Sequence, residues 1–454
     1  MPCCGTLNQL VQVLAAKPAL SDAELTSQFK GINTDTRTIK PGEIFVALRG
    51  EKFDGHAFVT AAVEKGAIAA IVDYKFQTSN KSLPLLQVED TLKAYQKIAH
   101  WWRQQFSIPV IGITGSVGKT TTKELIAAVL ATQGHVLKTQ ANYNNEIGVP
   151  KTLLELSREH NYAVIEMAMR AKGEIALLTQ ITCPTIGVIT NVGTAHIERL
   201  GSEQAIAEAK CELLAQMPSS AVAILNYDNS RLMTTAATVW QGQTVTYGLA
   251  GGDVCGEVVE HQISVDKQQL SLPLPGRHNA ANFLSALAVA KVLQIDWSGL
   301  TDLVVDMPSG RSQRHELPND VIILDESYNA APEAMKAALQ LLAETPGKRK
   351  IAVLGAMKEL GERSLQLHQE VGNLASQLNI DSLLVLVDSE DAEAIATSAA
   401  GISTECFSSH EDIVKRLREV VKEGDRILVK AAHSVGLDRV VNQFRAAGFA
   451  KPEY

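Results

Sequence analysis

Short apolar runs alternate with longer amphipathic segments along most of this chain. Between residues 110 and 293, runs of strand length are separated by segments whose apolar positions recur at helical spacing. Such alternation favours a mostly parallel, doubly wound sheet. The predicted strands are 110–114, 163–167, 185–190 and 221–226, and the predicted helices are 119–132, 149–156, 203–217 and 279–293.

A second series of the same kind begins near Arg311 and runs toward the C-terminus. Its predicted strands are 321–324, 351–354, 383–387 and 427–430, and its predicted helices are 332–343, 365–378, 412–421 and 438–447. Between the two series, residues 244–274 are predicted to form short β hairpins inserted before the helix at 279.

The first part of the chain has a shorter pattern of its own. It predicts strands at 44–48, 68–72 and 83–88, a helix at 58–65, and a helix at 91–105 that leads into the next unit. The fold class is therefore α/β with three domains. They are a small α/β N-terminal domain (1–86), a central doubly wound domain (87–310) and a C-terminal Rossmann-like domain (311–454).

Composition agrees with this organisation and narrows the class of protein. The chain has 454 residues, of which 46% are hydrophobic and 20% charged, enough apolar material for packed cores. The net charge of −8 makes nucleic acid an unexpected partner, because phosphate neutralisation needs a basic surface. The six cysteines are scattered, and neither a signal peptide nor a membrane-spanning run is evident. We expect reduced thiols, a cytoplasmic setting and no stable membrane insertion.

The strongest chemical signal is the segment GITGSVGKTTT, between a predicted strand and a predicted helix. Its glycines let backbone N–H groups converge on phosphate oxygens, and the positive end of the helix adds to the attraction. Ile113 stands where the usual phosphate-loop pattern has glycine, but the physical elements are kept. We expect nucleotide contacts from Gly115, Ser116, Val117, Gly118, Lys119, Thr120 and Thr121.

A phosphate loop of this kind works with Mg²⁺, which prefers oxygen ligands. Thr120 supplies a hydroxyl, and Glu166 ends an apolar strand 47 residues after Lys119. Carboxylates at the ends of neighbouring parallel strands reach the same crevice. His196 follows the next strand in TNVGTAH and is a further candidate for the site.

Other segments allow two interpretations from the residues alone. The stretch QANYNNEIGVP is either a polar turn or a cluster of amides that holds sugar hydroxyls and phosphate. Lys210, flanked by Glu208 and Glu212, is typical of a solvated helix face. The stretch VIILDES resembles the Asp-Glu strand of mechanical ATPases, although Asp325 lies 206 residues after Lys119.

Taken together, these stretches resemble the Mur ligase family, and the resemblance covers nearly the whole chain. It is carried by the stretches NTDTRTIKPGEIFVALRGEKFDGHAF, TGSVGKTTTKE, NYNNEIGVP, TNVGTAHIERLGS, AKCELL, LPGRHNAANFLSALA, DESYNAAPEAM and VLGAMKELGERS. The stretches AMKELG and DGHAF point to the member that adds D-Ala-D-Ala. The Asp-Asn-Pro-Arg stretch of the diaminopimelate- or lysine-adding member is absent from the sequence.

The resemblance implies a reaction, its ligands and the residues that bind them. ATP activates the carboxylate of UDP-MurNAc-tripeptide as an acyl phosphate, and the amine of D-Ala-D-Ala then displaces phosphate. Catalytic roles fall to Lys119, Lys210 and His196, with Lys210 carrying a carbamate as in many members. Two Mg²⁺ ions are expected, with ligands among Thr120, Glu166 and His196. Further ATP contacts fall to Asn279, Asn282, Arg311, Asp325 and Tyr328, and acceptor contacts to Asp35, Thr36, Arg37, Asn142, Asn144 and Asn145.

Three departures from the family pattern lie in the third domain. Glu326 stands where aspartate is common, and Ala331 stands where asparagine is usual. The run Lys430-Ala431-Ala432-His433 replaces the frequent Lys-Gly-Ser-Arg. These departures concern contacts of the third domain, and they leave the phosphate loop and the metal positions unaffected.

Alternative functions are a relative that adds one amino acid, a folylpolyglutamate synthase, an ATPase that needs no peptide, and a nucleotide-binding module without chemistry. We expect a monomer whose partners are its small-molecule substrates.

Overall fold

The computed structural model describes residues 2–51 and 53–446, and it contains three principal sheets. The end of the helix predicted at 438–447, and the end of the domain predicted at 311–454, lie outside these residues. In the described part of the chain, no helix is both long enough and apolar enough to cross a membrane. All six cysteines are free thiols.

The first part of the chain is built around a five-stranded sheet. Its elements are β1 Gly5–Thr6, α1 Leu7–Leu14, β2 Lys17–Ala19, α2 Asp22–Leu25, β3 Gln28–Phe29, β4 Ile32–Asn33, β5 Ile44–Val46, β6 Arg49–Gly50, β7 Phe53–Asp54, a 3-10 turn Gly55–Phe58, α3 Val59–Glu64, β8 Ala69–Asp73, β9 Leu85–Val88 and α4 Thr91–Arg103. The strand order is β2-β9-β8-β5-β4, in which β4, β5, β8 and β9 run parallel and β2 joins the edge antiparallel. The sheet ends at Val88, two residues beyond the predicted domain boundary at 86.

The central part of the chain forms a nine-stranded sheet. Its elements are β10 Val110–Thr114, α5 Lys119–Ala131, β11 Val136–Lys138, α6 Gly148–Leu153, β12 Tyr162–Glu166, α7 Glu174–Thr182, β13 Ile186–Ile189, α8 Ile197–Leu200, α9 Glu203–Gln216, β14 Val222–Asn226, α10 Ser230–Val239, β15 Gln243–Gly248, β16 Val254–Val259, β17 Gln262–Val265, β18 Gln268–Ser271, α11 Arg277–Val292 and a 3-10 turn Trp297–Leu300. The strand order is β11-β12-β10-β13-β14-β15-β16-β17-β18. The strands from β11 to β16 pair in parallel, the arrangement predicted for this sheet.

The prediction of inserted hairpins at 244–274 is partly wrong. The strand β15 pairs in parallel with β14 and belongs to the central sheet. Only β16, β17 and β18 pair antiparallel, and they extend the same sheet to its edge. A parallel strand with alternating threonines has the same local pattern as a hairpin strand, so sequence alone did not separate them.

The third part of the chain forms a six-stranded sheet. Its elements are β19 Gln313–Leu317, β20 Val321–Asp325, α12 Pro332–Glu344, β21 Arg349–Leu354, a 3-10 turn Gly361–Arg363, α13 Ser364–Gln377, β22 Ser382–Leu386, α14 Glu390–Ser398, β23 Ser403–Phe407, α15 His410–Val420, β24 Asp425–Lys430, a 3-10 turn His433–Val435 and α16 Asp438–Ala446. The strand order is β19-β20-β24-β21-β22-β23, and only β19 runs antiparallel. The α/β class and the three-domain fold are confirmed.

The helix α11 lies in the core on one face of the central sheet. Its apolar side chains pack with those of α5 and of the strands β10 and β13, where Ile113 and Val188 are fully buried. Most of its side chains from Asn279 to Ala290 are buried, and Phe283 at their centre is 0% exposed. This packing fixes the N-terminus of α11 beside the N-terminus of α5.

We expect Phe283→Ala to lower the free energy of unfolding of the central domain by about 3–5 kcal/mol, since it removes buried area and leaves a cavity. Urea denaturation followed by far-UV circular dichroism measures this change. Val304→Ala is the control, because Val304 is 87% exposed and the substitution should change stability by less than about 0.5 kcal/mol. Equal denaturation midpoints for both variants would contradict the assignment of α11 to the core.

Candidate active site

The phosphate loop connects β10 to α5, and its shape depends on two glycines. Gly115 lies against the hydroxyl of Thr190, so that a side chain there would overlap Thr190 Oγ1. Gly118 has a φ of +82°, and a Cβ at this position would lie 2.7 Å from Asn282 Oδ1. Because only glycine adopts this backbone without strain and leaves this space, the loop can approach a ligand with its backbone.

Residues that follow β13 hold the loop in place. Ser116 N donates to the carbonyl of Asn191 at 3.1 Å, and Val117 N donates to Asn191 Oδ1 at 3.0 Å. Thr190 Oγ1 donates to the carbonyl of Val117 at 2.6 Å. These hydrogen bonds from the protein itself restrict the shape of the loop, which reduces the entropy cost of binding.

Lys119 folds over the loop from the first turn of α5. Its Nζ donates to the carbonyls of Gly115 at 2.7 Å and Ser116 at 3.3 Å. Desolvation lowers the pKa of Lys119, and the nearby Glu166 carboxylate opposes that shift. The two threonines that follow, Thr120 and Thr121, are buried at the same helix N-terminus.

Glu166 ends β12 and lies beside the loop, because β12 pairs with β10 in the register Ile113 to Glu166. It is 2% exposed. Its Oε1 accepts a hydrogen bond from Asn144 Nδ2 at 2.8 Å, whereas its Oε2 has no hydrogen-bond partner among the described residues. A buried carboxylate oxygen without a partner is costly unless a cation or water binds it. The donor set at this edge therefore fits a hard cation such as Mg²⁺.

Glu166 does not belong to a dense acidic cluster. Within residues 2–51 and 53–446, no group of three His, Cys, Asp or Glu side chains is arranged to hold a metal by itself. A cation at Glu166 would therefore need further ligands, for which phosphate oxygens and the Thr120 hydroxyl are suited.

His196 precedes α8 with a φ of +67° and lies at the boundary with the third domain. Its Nδ1 is hydrogen-bonded to a carboxylate oxygen of Glu359. Burial lowers the pKa of His196, and the Glu359 carboxylate opposes this shift. The positive charges of Lys119 and Lys210 also lower the pKa of His196.

Lys210 is 1% exposed, so its interpretation as part of a solvated helix face is wrong. Glu208 pairs with Lys172, and Glu212 accepts hydrogen bonds from the N-terminus of α7. Residues two positions apart lie on opposite faces of a helix, so Lys210 points away from its charged neighbours and into the domain. Desolvation, with a contribution from Lys119, lowers its pKa well below the ordinary value.

The amides at the start of α11 lie behind the loop. Asn282 Oδ1 accepts a hydrogen bond from Thr122 Oγ1 at 3.3 Å, and its Nδ2 donates to Asn279 Oδ1 at 3.3 Å. Asn279 Nδ2 donates to the carbonyl of Pro275 at 2.8 Å. The structure thus links both predicted asparagines to the phosphate-loop helix, and their contacts with ATP stay predictions.

The predicted third-domain residues gather near the ends of β20 and β24. The Arg311 guanidinium lies 3.8 Å from the centre of the Tyr328 ring, and His433 stacks on the same ring at 5.0 Å. Asp325 is 3% exposed and accepts hydrogen bonds from the backbone and hydroxyl of Ser327. The departure at His433 therefore places an aromatic ring beside Tyr328.

The predicted acceptor residues belong to two groups, one in the first domain and one in the segment before α6. In the first domain, Arg37 pairs with Asp35 at 2.6 Å, which holds the pKa of Asp35 at about 2. Thr36 follows in the same turn, and its carbonyl accepts from Lys65 Nζ. In the second group, Asn144 contacts Glu166, Asn145 caps the turn before α6, and Asn142 is exposed. Their roles stay predictions.

Sequence reasoning missed three residues that shape this site. Asn191 braces the loop, and two third-domain carboxylates, Glu333 and Glu359, contact the segment after β13. Glu333 Oε1 accepts hydrogen bonds from Thr194 N at 2.8 Å and Thr194 Oγ1 at 3.0 Å. The partners of the two carboxylates lie 139 and 163 residues away in the chain, so local pattern carries no signal for these contacts.

Three family models match the chain. They are Mur ligase family, catalytic domain (residues 28–102), Mur ligase middle domain (113–290) and Mur ligase, glutamate ligase domain (310–433). Together they cover most of the sequence. The chain belongs to the Mur ligase family.

Other members of the Mur ligase family resemble it over nearly its full length. It is 55% identical over 92% of both chains to the UDP-N-acetylmuramoyl-tripeptide–D-alanyl-D-alanine ligase of Synechocystis. It is 37% identical to the Escherichia coli protein of the same name, over 98% of this chain and 99% of that one.

Solved Mur ligase structures agree with this placement. MurF from Acinetobacter baumannii aligns with a TM-score of 0.87 at 28% identity, over 98% of this chain and 99% of that one. MurF from Thermotoga maritima in complex with ADP aligns with a TM-score of 0.83 at 32% identity, over 92% of this chain and 97% of that one.

We expect Gly118→Ala to weaken ADP binding about fivefold to a hundredfold. Alanine at this positive φ is strained by about 1–3 kcal/mol, and the free loop relieves that strain by leaving the shape that binds phosphate, which binding must restore. The Cβ of this alanine would also press on Asn282. Isothermal titration calorimetry measures the change. Gly401→Ala is a matched control, since Gly401 has a φ of +79° and no atom of the described chain lies within 4 Å of where its Cβ would be. Equal losses in both variants would show that general strain, and not the loop, controls binding.

Proposed function

We propose that this chain is an ATP-dependent ligase that joins D-Ala-D-Ala to UDP-N-acetylmuramoyl-tripeptide, giving UDP-N-acetylmuramoyl-pentapeptide, ADP and phosphate. The observation that carries the proposal is the similarity, over nearly the full length, to relatives named UDP-N-acetylmuramoyl-tripeptide–D-alanyl-D-alanine ligase. The site agrees with it, since Asn191 holds the phosphate loop beside the buried Glu166, which has one carboxylate oxygen without a partner among the described residues. The product is a peptidoglycan precursor.

Three domains suit three ligands. We assign the acceptor nucleotide to residues 1–86, ATP to 87–310, and the dipeptide together with closure over ATP to 311–454. Support comes from the position of Arg37 on the first domain, the loop on the second, and the stack of Arg311, Tyr328 and His433 on the third. Closure matters because an acyl phosphate must be kept from water.

The barrier to the first step is largely electrostatic, since a carboxylate and the γ-phosphate are both anions. Lys119 offsets that repulsion by moving its Nζ from the loop carbonyls to the phosphate. Arg311 brings a second positive charge from the third domain, near enough to lower the pKa of Lys119. The amine of the dipeptide then attacks the acyl carbon, and phosphate leaves.

Thr120, Glu166 and His196 are the residues that would hold Mg²⁺, and the first two offer the oxygen ligands that this ion prefers. When bound, Mg²⁺ screens the phosphate charge. Asn279, Asn282, Asp325 and Tyr328 would surround the nucleoside, and Asp35, Thr36, Asn142, Asn144 and Asn145 would line the path of the acceptor.

Lys210 is suited to carry a carbamate. Only an unprotonated amine reacts with CO₂, and burial favours that form by lowering the pKa of Lys210. The modification replaces a buried amine, which is repelled by Lys119 when protonated, with an anion that Lys119 attracts. It also brings a negative charge that acts on His196 and Lys119 in place of a positive one.

Other activities of the same fold have less support. Structures of a diaminopimelate ligase and of Escherichia coli FolC align at 18% and 16% identity with TM-scores of 0.55 and 0.60, which shows the fold alone. We infer a monomeric enzyme of the cytoplasm, the setting in which free thiols persist.

Phosphate release from ATP and Mg²⁺ tests the proposal directly. Release should require both UDP-N-acetylmuramoyl-tripeptide and D-Ala-D-Ala, with the matching mass gain in the acceptor. Lys119→Ala should abolish turnover, because it removes charge stabilisation. Lys348→Ala should leave turnover unchanged, because Lys348 is exposed and lies just before β21, at the amino end of that strand. Release without either substrate would favour an ATPase, and release with single amino acids would favour another ligase specificity.

The carbamate has a test of its own. With ¹³C-bicarbonate at pH 8, the protein should show a carbonyl resonance that Lys210→Ala lacks. The resonance should fade as the pH falls below the lowered pKa of Lys210, because protonation of the amine blocks its reaction with CO₂. An identical spectrum from the alanine variant would remove the carbamate from the proposal.

A further inference from the structure

The imidazole of His196 contacts Glu359 of the third domain. This glutamate follows β21 in the segment AMKELG, and one of its carboxylate oxygens is hydrogen-bonded to His196 Nδ1. The other oxygen accepts from Arg199 Nη2 at 3.2 Å and Nε at 3.3 Å. The carboxylate is thus held on both sides by residues of the central domain.

The backbone of Glu359 is fixed as well as its side chain. Its carbonyl accepts a hydrogen bond from Glu198 N at 3.4 Å. Two residues earlier, Met357 N donates to Nε2 of the fully buried His368 at 2.8 Å. Two residues later, Gly361 lies against the backbone of Glu198, where a Cβ would meet Glu198 Cα at 3.3 Å. The segment is therefore built to present Glu359 to His196.

A histidine that binds a metal through one ring nitrogen generally donates its other N–H to a carboxylate or carbonyl, which fixes the tautomer and the ring orientation. A neutral imidazole has one donor nitrogen and one acceptor nitrogen. With Nδ1–H donated to Glu359, the lone pair is on Nε2.

We propose that Glu359 is a positioning residue that makes Nε2 of His196 the nitrogen available to the magnesium site. The inference rests on the proposed function, which gives His196 its place in that site. Because Glu359 and His196 belong to different domains, the correct tautomer is held only while the third domain is docked. Domain docking and metal binding are thereby coupled through one hydrogen bond.

The tautomer can be measured without metal. Full-length protein labelled with ¹⁵N-histidine, at a pH where the imidazole is neutral, should show His196 protonated at Nδ1; the His196→Gln spectrum identifies its signals. Glu359→Ala should shift His196 toward the Nε2-protonated form. Glu359→Gln should keep the Nδ1 proton, because the amide oxygen still accepts.

Arg363→Ala is the matched control for domain docking. Arg363 lies two residues beyond the segment AMKELG and pairs with Glu203 across the same boundary at 3.3 Å. It should leave the tautomer unchanged. An Nδ1-protonated His196 in Glu359→Ala would overturn the inference.

Metal affinity provides the second measurement. Mn²⁺ binding to the full-length protein, followed by electron paramagnetic resonance, should weaken about tenfold to a hundredfold in Glu359→Ala and remain near wild type in Glu359→Gln and Arg363→Ala. If His196→Ala weakens Mn²⁺ binding and Glu359→Ala does not, the inference fails while the metal site stands. If His196→Ala binds Mn²⁺ as the wild-type protein does, the proposed metal role of His196 fails. The ¹⁵N spectrum recorded without metal then still decides whether Glu359 positions the His196 ring.

Discussion

Parallel pairing of β10 with β12 and β13 is the constraint on which the rest of this structure depends. It brings the carboxyl ends of three strands to one edge, so that Gly115, Glu166 and Thr190 meet there. Parallel strands need crossover connections, and those connections are the helices whose N-termini face the same edge. The phosphate loop, the buried carboxylate and the segment around His196 are consequences of this single arrangement.

Much of this architecture could be predicted from the sequence, because strands that are buried in a parallel sheet consist of continuous apolar runs. The strands at 110–114, 163–167 and 221–226 were predictable for that reason, and the helices at 119–132 and 203–217 end within one residue of their predicted bounds. The helix α10 was missed, since its threonines are poor helix formers and its apolar face is narrow.

The site was predictable where chemistry is local and not where it depends on distant partners. Glycine spacing indicated the phosphate loop, because the backbone requirement and the ligand contact lie in one segment. The burial of Lys210 could not be deduced from its glutamate neighbours, which contact a different helix and the loop before it. No local pattern indicates that Glu166 has one carboxylate oxygen without a partner among the described residues. That property depends on Asn144, which donates a hydrogen bond only to the other oxygen and lies 22 residues away in the chain.

The central and third domains each have an apolar core, whereas polar side chains make several of the contacts between them. These contacts include two partly exposed ion pairs, Arg199 with Glu359 and Arg363 with Glu203, and a hydrogen bond from the buried Thr194 to Glu333. Exposed ion pairs are screened at ionic strengths that leave apolar cores almost unaffected. These two ion pairs therefore weaken as the salt concentration rises, so the buffer in which the enzyme is assayed affects how firmly its third domain is held.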